Sequence, residues 1–426
     1  MLTDKDTLLF GHLQSFTFDR AETEGTSRTV SIYMRSTRVR QDFVCPSCGS
    51  GHIHQNGLFD NILRDMPGEP GQSTIMHVPI RRFECQTCRH VFREDNELAY
   101  PHAHVTMRMA RWAKALLSYS SISEVSRHTR IGWETLKRIH KDDLLQNLSD
   151  RRKRQKNDGY RPKYLAVDEF SIRKGHKYAT SVMDAETGEV LWVGEGRTME
   201  AFSRFFADKD IDGLLSEVKA VAMDMNASYH SVVKRHLPEA EIVYDRYHME
   251  AQYGRDVMGS VRLEKARENS QKAKEDAENG RDPKAHKREY SRLKGSRWLL
   301  LGRMDEDNEE LKAILDDYAD IATCFALKER MKELFLLKDR EKARSGWEEW
   351  FSAARKSGIR QLVNFAEQKE KRIEGLISHA EHQIGTGRLE GTNNKIKVLK
   401  RIAFGYRDNE YFFALIRYLT IPKSHN

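Results

Sequence analysis

Apolar and polar positions change their period several times along the chain, and each change marks a different kind of element. Residues 1–44 alternate weakly (RTVSIYMRS), predicting one or two short strands without a site signature. Residues 45–92 hold strand-like runs on either side of a PGEPG loop, whose prolines and glycines favour tight turns and interrupt helix and ladder alike. From Thr106 the period becomes helical: MRMARWAKALLSYS predicts one helix, and SISEVSRHTRIGWETLKRIHKDDLLQNL predicts two more, broken at Ile131-Gly132. The run 149–162, SDRRKRQKNDGYRP, has no apolar period, ends in proline and reads as a basic linker.

Beyond that run lie KYLAVDEFSI, KYATSVMDAETGEVLWVGEG, VKAVAMDMN and AEIVYDRYHM, β-branched or apolar stretches of strand length, with the amphipathic helix signal MEAFSRFFADKDIDGLL before the third. This predicts a mixed α/β core. From about Glu250 to His382 the chain is charged, poor in proline and helix-periodic, and Trp298, Trp347 and Trp350 on its apolar stripes read as helix packing. The last segment, GRLEGTNNKIKVLKRIAFGYRDNEYFFALIRYLT, returns to a helix with a basic and an apolar face.

Composition narrows the class. At 426 residues the chain is long enough for two to four domains at about 100–200 residues each. Lys and Arg number 72 against 64 Asp and Glu, a net charge of +8, which favours a polyanionic partner such as nucleic acid. No apolar run reaches the ~18 residues of a membrane span, so an integral membrane protein is excluded. The first twenty residues carry early acids and lack the pattern of a secretory signal, and the chain is expected to be cytoplasmic.

Five cysteines are too few for a disulfide scaffold, and four of them form two pairs, Cys45-Cys48 and Cys85-Cys88, with the spacing C-x2-C-x36-C-x2-C. Two such turns aim four thiolates at one tetrahedral Zn²⁺, and Gly49 supplies the positive-φ freedom that the first turn needs. Four thiolates close the coordination sphere, so the zinc is expected to be structural. His52, His54 and His90 are neighbouring alternative ligands that read better as surface residues, and Cys324 reads as core packing.

In the helical segment, Ser121-Ile-Ser-Glu124 matches a capping box, Gly132 sits in the turn, and Lys137, Arg138 and Lys141 place cations on the second helix of a helix-turn-helix. The core offers a third chemistry. Two strand-like runs end in an acid, Tyr164-Leu-Ala-Val-Asp168 and Ala220-Val-Ala-Met-Asp224, and such ends converge in one crevice when the strands are parallel neighbours. On the last basic helix Glu390, Asn393, Asn394, Lys397 and Arg401 follow spacings of three, four and seven and share one face, a lone acid among amides and cations. Three carboxylates with hard oxygen ligands favour Mg²⁺ or Mn²⁺, and a pair of such ions suits in-line displacement at a phosphodiester.

The motifs around Asp168, Asp224 and Glu390, with EGTNNKIKVLKRIAFGYR around the last, resemble those of bacterial insertion-sequence transposases of the ISL3 family. The likeness covers nearly the whole chain. It implies an α/β, RNase H-like mixed sheet core of the DDE type with a large helical insertion, preceded by a zinc ribbon and a helix-turn-helix. On that reading residues 1–44 are an N-terminal extension, 45–95 the zinc ribbon, 104–148 the helix-turn-helix domain and 149–162 the linker. The catalytic domain is 163–249 with 386–426, and 250–385 is the insertion. Asp168, Asp224 and Glu390 are implied as the catalytic metal ligands, with Lys397 near the scissile phosphate and Asn393, Asn394 and Arg401 beside it on DNA. Asp245-Arg-Tyr-His248 is similar to a D-x-x-H element of several such enzymes; Asp245 and His248 would support the site, and Asp245 rivals Asp224 as second ligand.

The implied function is a transposase that binds the terminal inverted repeats of its element, cuts double-stranded DNA with Mg²⁺ or Mn²⁺ and joins the 3′-hydroxyl to target DNA, as a homodimer or higher oligomer. Three other readings stay open: a zinc-bearing DNA-binding regulator, an inactive transposase-derived protein, and a metal-dependent nuclease that cuts without joining.

Overall fold

A computed structural model describes residues 15–23, 28–69, 71–173, 175, 177–305, 307–385, 387–402 and 407–422, without the side chains of Leu389 and Ile402. The chain forms two compact units, 1–147 and 148–426.

The first unit begins with a five-stranded sheet. Strands β1 (Phe16–Thr23), β2 (Thr29–Ser36), β3 (Ile53–Asp65) and β4 (Ser73–Cys85) lie in the order β1-β2-β4-β3, and β5 (Val91–Arg93) pairs with β4. The two strands expected before the cysteines therefore share the sheet that carries them, because β2 pairs in parallel with β4. Three helices follow: α1 (Met107–Leu117), α2 (Ile122–Thr129) and α3 (Trp133–Asn157). Thr106 caps α1, and its hydroxyl also donates to the buried Asp65 carboxylate at 2.6 Å, which ties the helix start to the end of β3. Met109, Ala113, Val125, Ile131, Leu136 and Ile139 form the core of the three-helix group.

The expected linker differs from its sequence reading. Residues 149–157 continue α3 without a break. They show no apolar period because polar groups do the packing: Arg152 and Gln155 are buried, Arg152 donates to the Leu191 carbonyl at 3.1 Å, and the Gln155 amide donates to Glu189 at 3.0 Å.

In the second unit β6 (Tyr164–Arg173), β7 (Lys177–Asp184), β8 (Val190–Glu195), β9 (Ala220–Met223) and β10 (Glu241–Tyr244) form a sheet in the order β10-β9-β6-β7-β8. β6, β9 and β10 run parallel, and β7 and β8 are antiparallel, which is the mixed α/β core expected for an RNase H-like fold. Strand alternation divides its side chains. Leu165, Val167, Val221 and Met223 face one layer with α4 (Met199–Phe206) and α5 (Ala227–His236). Ala166, Phe170, Ile172 and Ala222 face the other, under α15 (Gly387–Ile402) and α16 (Asn409–Leu419).

Between β10 and α15 the chain is helical. α6 (Arg246–Tyr253) passes through a π-helical turn, Gly254–Gly259, into α7 (Ser260–Glu278), followed by α8 (Lys284–Gly295), α9 (Arg297–Leu301), α10 (Glu309–Asp317), α11 (Ala319–Leu334), α12 (Arg340–Lys356), α13 (Arg360–Glu370) and α14 (Ile373–Ile377). Trp347, Trp350 and Cys324 are fully buried there, as their sequence reading holds, and their cluster is continuous with the core under the sheet. Trp298 is the exception: it is 75% exposed.

Candidate active site and metal-binding cluster

Register brings three acids into one row. Ala166 on β6 pairs with Ala222 on β9, and Met223 pairs with Tyr244 on β10; continued past the ends of β9 and β10, that register sets Asp224 and Asp245, the first residue after each strand, level with Asp168 on β6. Matching positions share one face, and here it is the face under α15. Asp168 is largely buried, and its carboxyl is pushed above the ordinary range, first by burial and further by the negative charges of Asp224 and Asp245, against the pull of the Glu169 N–H and of His248. His248 Nε2 lies 4.0 Å from Asp168 Oδ1. The Asp168 Oδ2 accepts a hydrogen bond from the Asn393 side-chain amide at 2.7 Å.

Asp224 and Asp245 each also organise their own loop. Asp224 accepts from the Asn226 N–H at 2.9 Å, and Asp245, 4% exposed, caps α6 by accepting from the His248 N–H at 3.0 Å. The carbonyl between Asp224 and Asn226, that of Met225, accepts from the Arg372 guanidinium, so the helical segment holds this loop.

Along α15 the expected stripe of Glu390, Asn393, Asn394, Lys397 and Arg401 is present, with Asn393 on its buried edge and the other four exposed. Asn393 is thus committed to Asp168, while Lys397 and Asn394 pair with each other at 3.2 Å. Glu390 stands one turn before Asn393. Among the described residues, neither Glu390 with Asp168 and Asp224 nor Asp168, Asp224 and Asp245 as a trio come together to within 4.8 Å, a closeness that two other groups reach.

One of these is Glu241, Glu381 and His382. Arg340 already supplies the positive charge there, at 2.9 Å from Glu241 and 3.1 Å from Glu381. The other is the cysteine set: Cys45, Cys48, Cys85 and Cys88 have all four sulfurs within 4.8 Å of one another. Both turns are built alike. The N–H four residues after the first cysteine, of Gly49 or Arg89, donates to that cysteine's carbonyl at 2.8 or 2.9 Å, and both residues have positive φ, +73° and +60°. Gly49 plays its expected part; Arg89 does so as a non-glycine. The Cys85 thiol is pulled down to about 6, first by the Cys88 N–H, which favours the thiolate that a metal binds.

In the helix-turn-helix, the capping box forms as expected: Ser121 accepts from the Glu124 N–H at 3.2 Å and the Glu124 carboxylate accepts from the Ser121 N–H at 3.0 Å. Of the cations on α3, Lys137 stands 5.8 Å from the Trp133 ring, Arg138 donates to the His102 carbonyl, and all three, Lys141 included, are half-buried. Exposed groups at the α2–α3 turn are Arg127, His128, Arg130 and Trp133.

Residues 165–416 match the family model of ISL3 transposases, described as "Transposase", and residues 94–143 match the helix-turn-helix domain of transposase family ISL3. The chain is 34% identical over 98% of both sequences to the transposase for insertion sequence element IS1001 of Bordetella parapertussis. The chain belongs to the ISL3 transposase family. It is also similar to the transposase for IS1557 of Mycobacterium tuberculosis, at 24% identity over 76% of this chain and 74% of that protein. The transposase-family match begins on β6 and ends on α16, and so takes in the acidic row, the helical segment and the α15 stripe.

Glu169 escaped the sequence reading. It points to the opposite face from Asp168, accepts from the Asn226 side-chain amide at 3.3 Å, lies 3.9 Å from Arg197, and is pushed up by burial and by Asp224. An acid following an acid on a strand gives no sign of which face matters, and only the packing of Asn226 and Tyr229 around Glu169 distinguishes it.

Proposed function

We propose that this transposase binds the terminal inverted repeats of its element and performs metal-dependent DNA cleavage and strand transfer in the second unit. The observation that carries the reading is the row of Asp168, Asp224 and Asp245, with Asp168 largely buried among like charges. A largely buried carboxylate that feels the negative charge of two neighbours is costly to ionise without a cation, and its oxygen donors suit a hard divalent ion, Mg²⁺ or Mn²⁺. Asp168, Asp224 and Glu390 would hold it. When bound, such an ion polarises the scissile phosphate and activates a water or a 3′-hydroxyl.

The chain's own residues then do the positioning. Asn393 fixes the Asp168 carboxylate, the Asn226 N–H orients Asp224, and Asp245 holds the start of α6, which presents His248 toward Asp168. Lys397 and Arg401, exposed on the same helix, would meet the phosphates flanking the cut. The four cysteines would hold one structural Zn²⁺, and the helix-turn-helix would read or clamp the DNA ends. Joining two ends implies at least a dimer on DNA.

The test is a cleavage and joining assay on DNA carrying the element's inverted repeats, with Mg²⁺ or Mn²⁺, for native protein, Asp224→Asn and Asp245→Asn. Metal-dependent cutting with joined product, lost in Asp224→Asn and only weakened in Asp245→Asn, is expected. The reverse order would make Asp245 the second ligand, and binding without cutting by the native protein would overturn the catalytic reading.

A further inference from the structure

We infer that α8 and α9 carry a second DNA-backbone contact surface, separate from the helix-turn-helix and from α15; the inference rests on the transposase reading above. Lys284, Lys287, Arg288 and Lys294 follow spacings of three, four and ten residues, so they share one face of α8, and all four are exposed. Arg297 and Trp298 extend this exposed run into α9.

Charge on α8 is segregated. Its one acid, Glu289, is turned inward, where it accepts from Arg292 at 3.1 Å and from the Tyr318 hydroxyl at 3.2 Å. Among the described residues no carboxylate pairs with Lys287, Arg288, Lys294 or Arg297, and Lys284 has only a solvent-exposed neighbour, Asp282, at 3.9 Å. A merely solvated helix face interleaves acids and bases, as exposed α7 does with Glu264, Arg267, Glu268, Lys272, Lys274 and Glu275.

Length and chemistry fit one occupant, duplex DNA. From Lys284 to Lys294 the helix rises about 15 Å. A DNA strand carries one phosphate per about 3.4 Å of axis, so about four phosphates lie along that stretch. Trp298 stands at the end of the stripe with the Arg297 guanidinium 5.0 Å from its ring, an exposed aromatic face of the kind on which an unpaired base stacks. The sequence pattern expects this ring buried, yet it is 75% exposed.

Fluorescence anisotropy of the full chain on inverted-repeat duplex, across a salt series, tests the surface. The triple variant Lys287→Ala, Arg288→Ala, Lys294→Ala is compared with a control triple on α7, Arg267→Ala, Lys272→Ala, Lys274→Ala, each first shown to melt like the native protein. The α8 triple is expected to flatten the slope of log K against log salt by about 2–3 units and weaken binding roughly tenfold or more near 0.1 M salt, with the control close to native. Trp298→Ala is expected to weaken binding about fivefold or more to a duplex with an unpaired 3′ overhang, without changing the slope. An α8 triple with the native slope, or equal losses in both triples, overturns the proposal while leaving the transposase reading intact. A native protein that binds no DNA would remove both.

Discussion

Asp168 carries a conflict that its neighbours impose. Burial and the charges of Asp224 and Asp245 raise its folded-state pKa above that of an unfolded aspartate, so its ionised form destabilises the fold. The sign follows: this group's contribution is most favourable below about pH 3.9, the ordinary aspartate value, and is lost as pH rises through the folded pKa. Asp168→Asn removes the penalty and keeps an acceptor for Asn393. It is therefore expected to raise the melting temperature at pH 7 by about 2–4 °C for each kcal/mol relieved, to lose that advantage in melts near pH 3, and to abolish cutting. A lower melting temperature at pH 7 would contradict the conflict. Asp224 was legible as a strand-end acid; Asp168 was read as one too, but β6 continues past it to Arg173, because Phe170 and Ile172 keep the strand packed under α15 and α16. The role of Asn393 was legible only as a member of a helical stripe, because spacing shows which residues share a face but not which edge of that face meets the sheet.

At the level of elements, local chemistry predicts starts and stops better than it predicts partners. Ser121 and Glu124 form their capping box because two orphan N–H groups at a helix start need acceptors wherever the helix lies. Ser121→Ala is expected to cost about 1 kcal/mol, read as faster amide hydrogen exchange through α2 and weaker binding to inverted-repeat DNA; unchanged exchange would show that tertiary packing alone holds the helix. The 149–157 stretch shows the opposite case. Its helix was hidden because Arg152 and Gln155 are buried against Glu189 and a strand carbonyl, contacts that a hydrophobic period does not encode. Arg138 was legible as a cation on α3, but its donation to the His102 carbonyl gives it a structural duty beside any contact with DNA.

Across the whole molecule, the two units depend on different glue. The second unit is built around a large apolar cluster that runs from the sheet into the helical segment, whereas the first unit's sheet has two small cores: Phe16, Met34, Leu63, Met76, Val78 and Ile80 at one end, and Phe43, Ile53, Phe83, Cys45 and Cys85 beside the cysteine turns. Chelation or Cys88→Ser is accordingly expected to release one zinc per chain and to lower the first unit's transition, loosening the cysteine end of its sheet, while the second unit keeps its transition in calorimetry. Loss of both transitions together, or no bound metal in the native protein, would count against a structural zinc. The amino-acid sequence by itself determined the kinds of element, the paired cysteine turns, the capped helices and the acids that follow apolar strand runs, because these follow from local spacing and backbone chemistry. Only the tertiary structure decided that β1 and β2 join the ribbon sheet, that Asp245 stands in the same row as Asp168 and Asp224, that Asn393 holds Asp168, and that Trp298 stays outside. Those facts depend on pairing and burial between residues distant in sequence, where no local period carries the information.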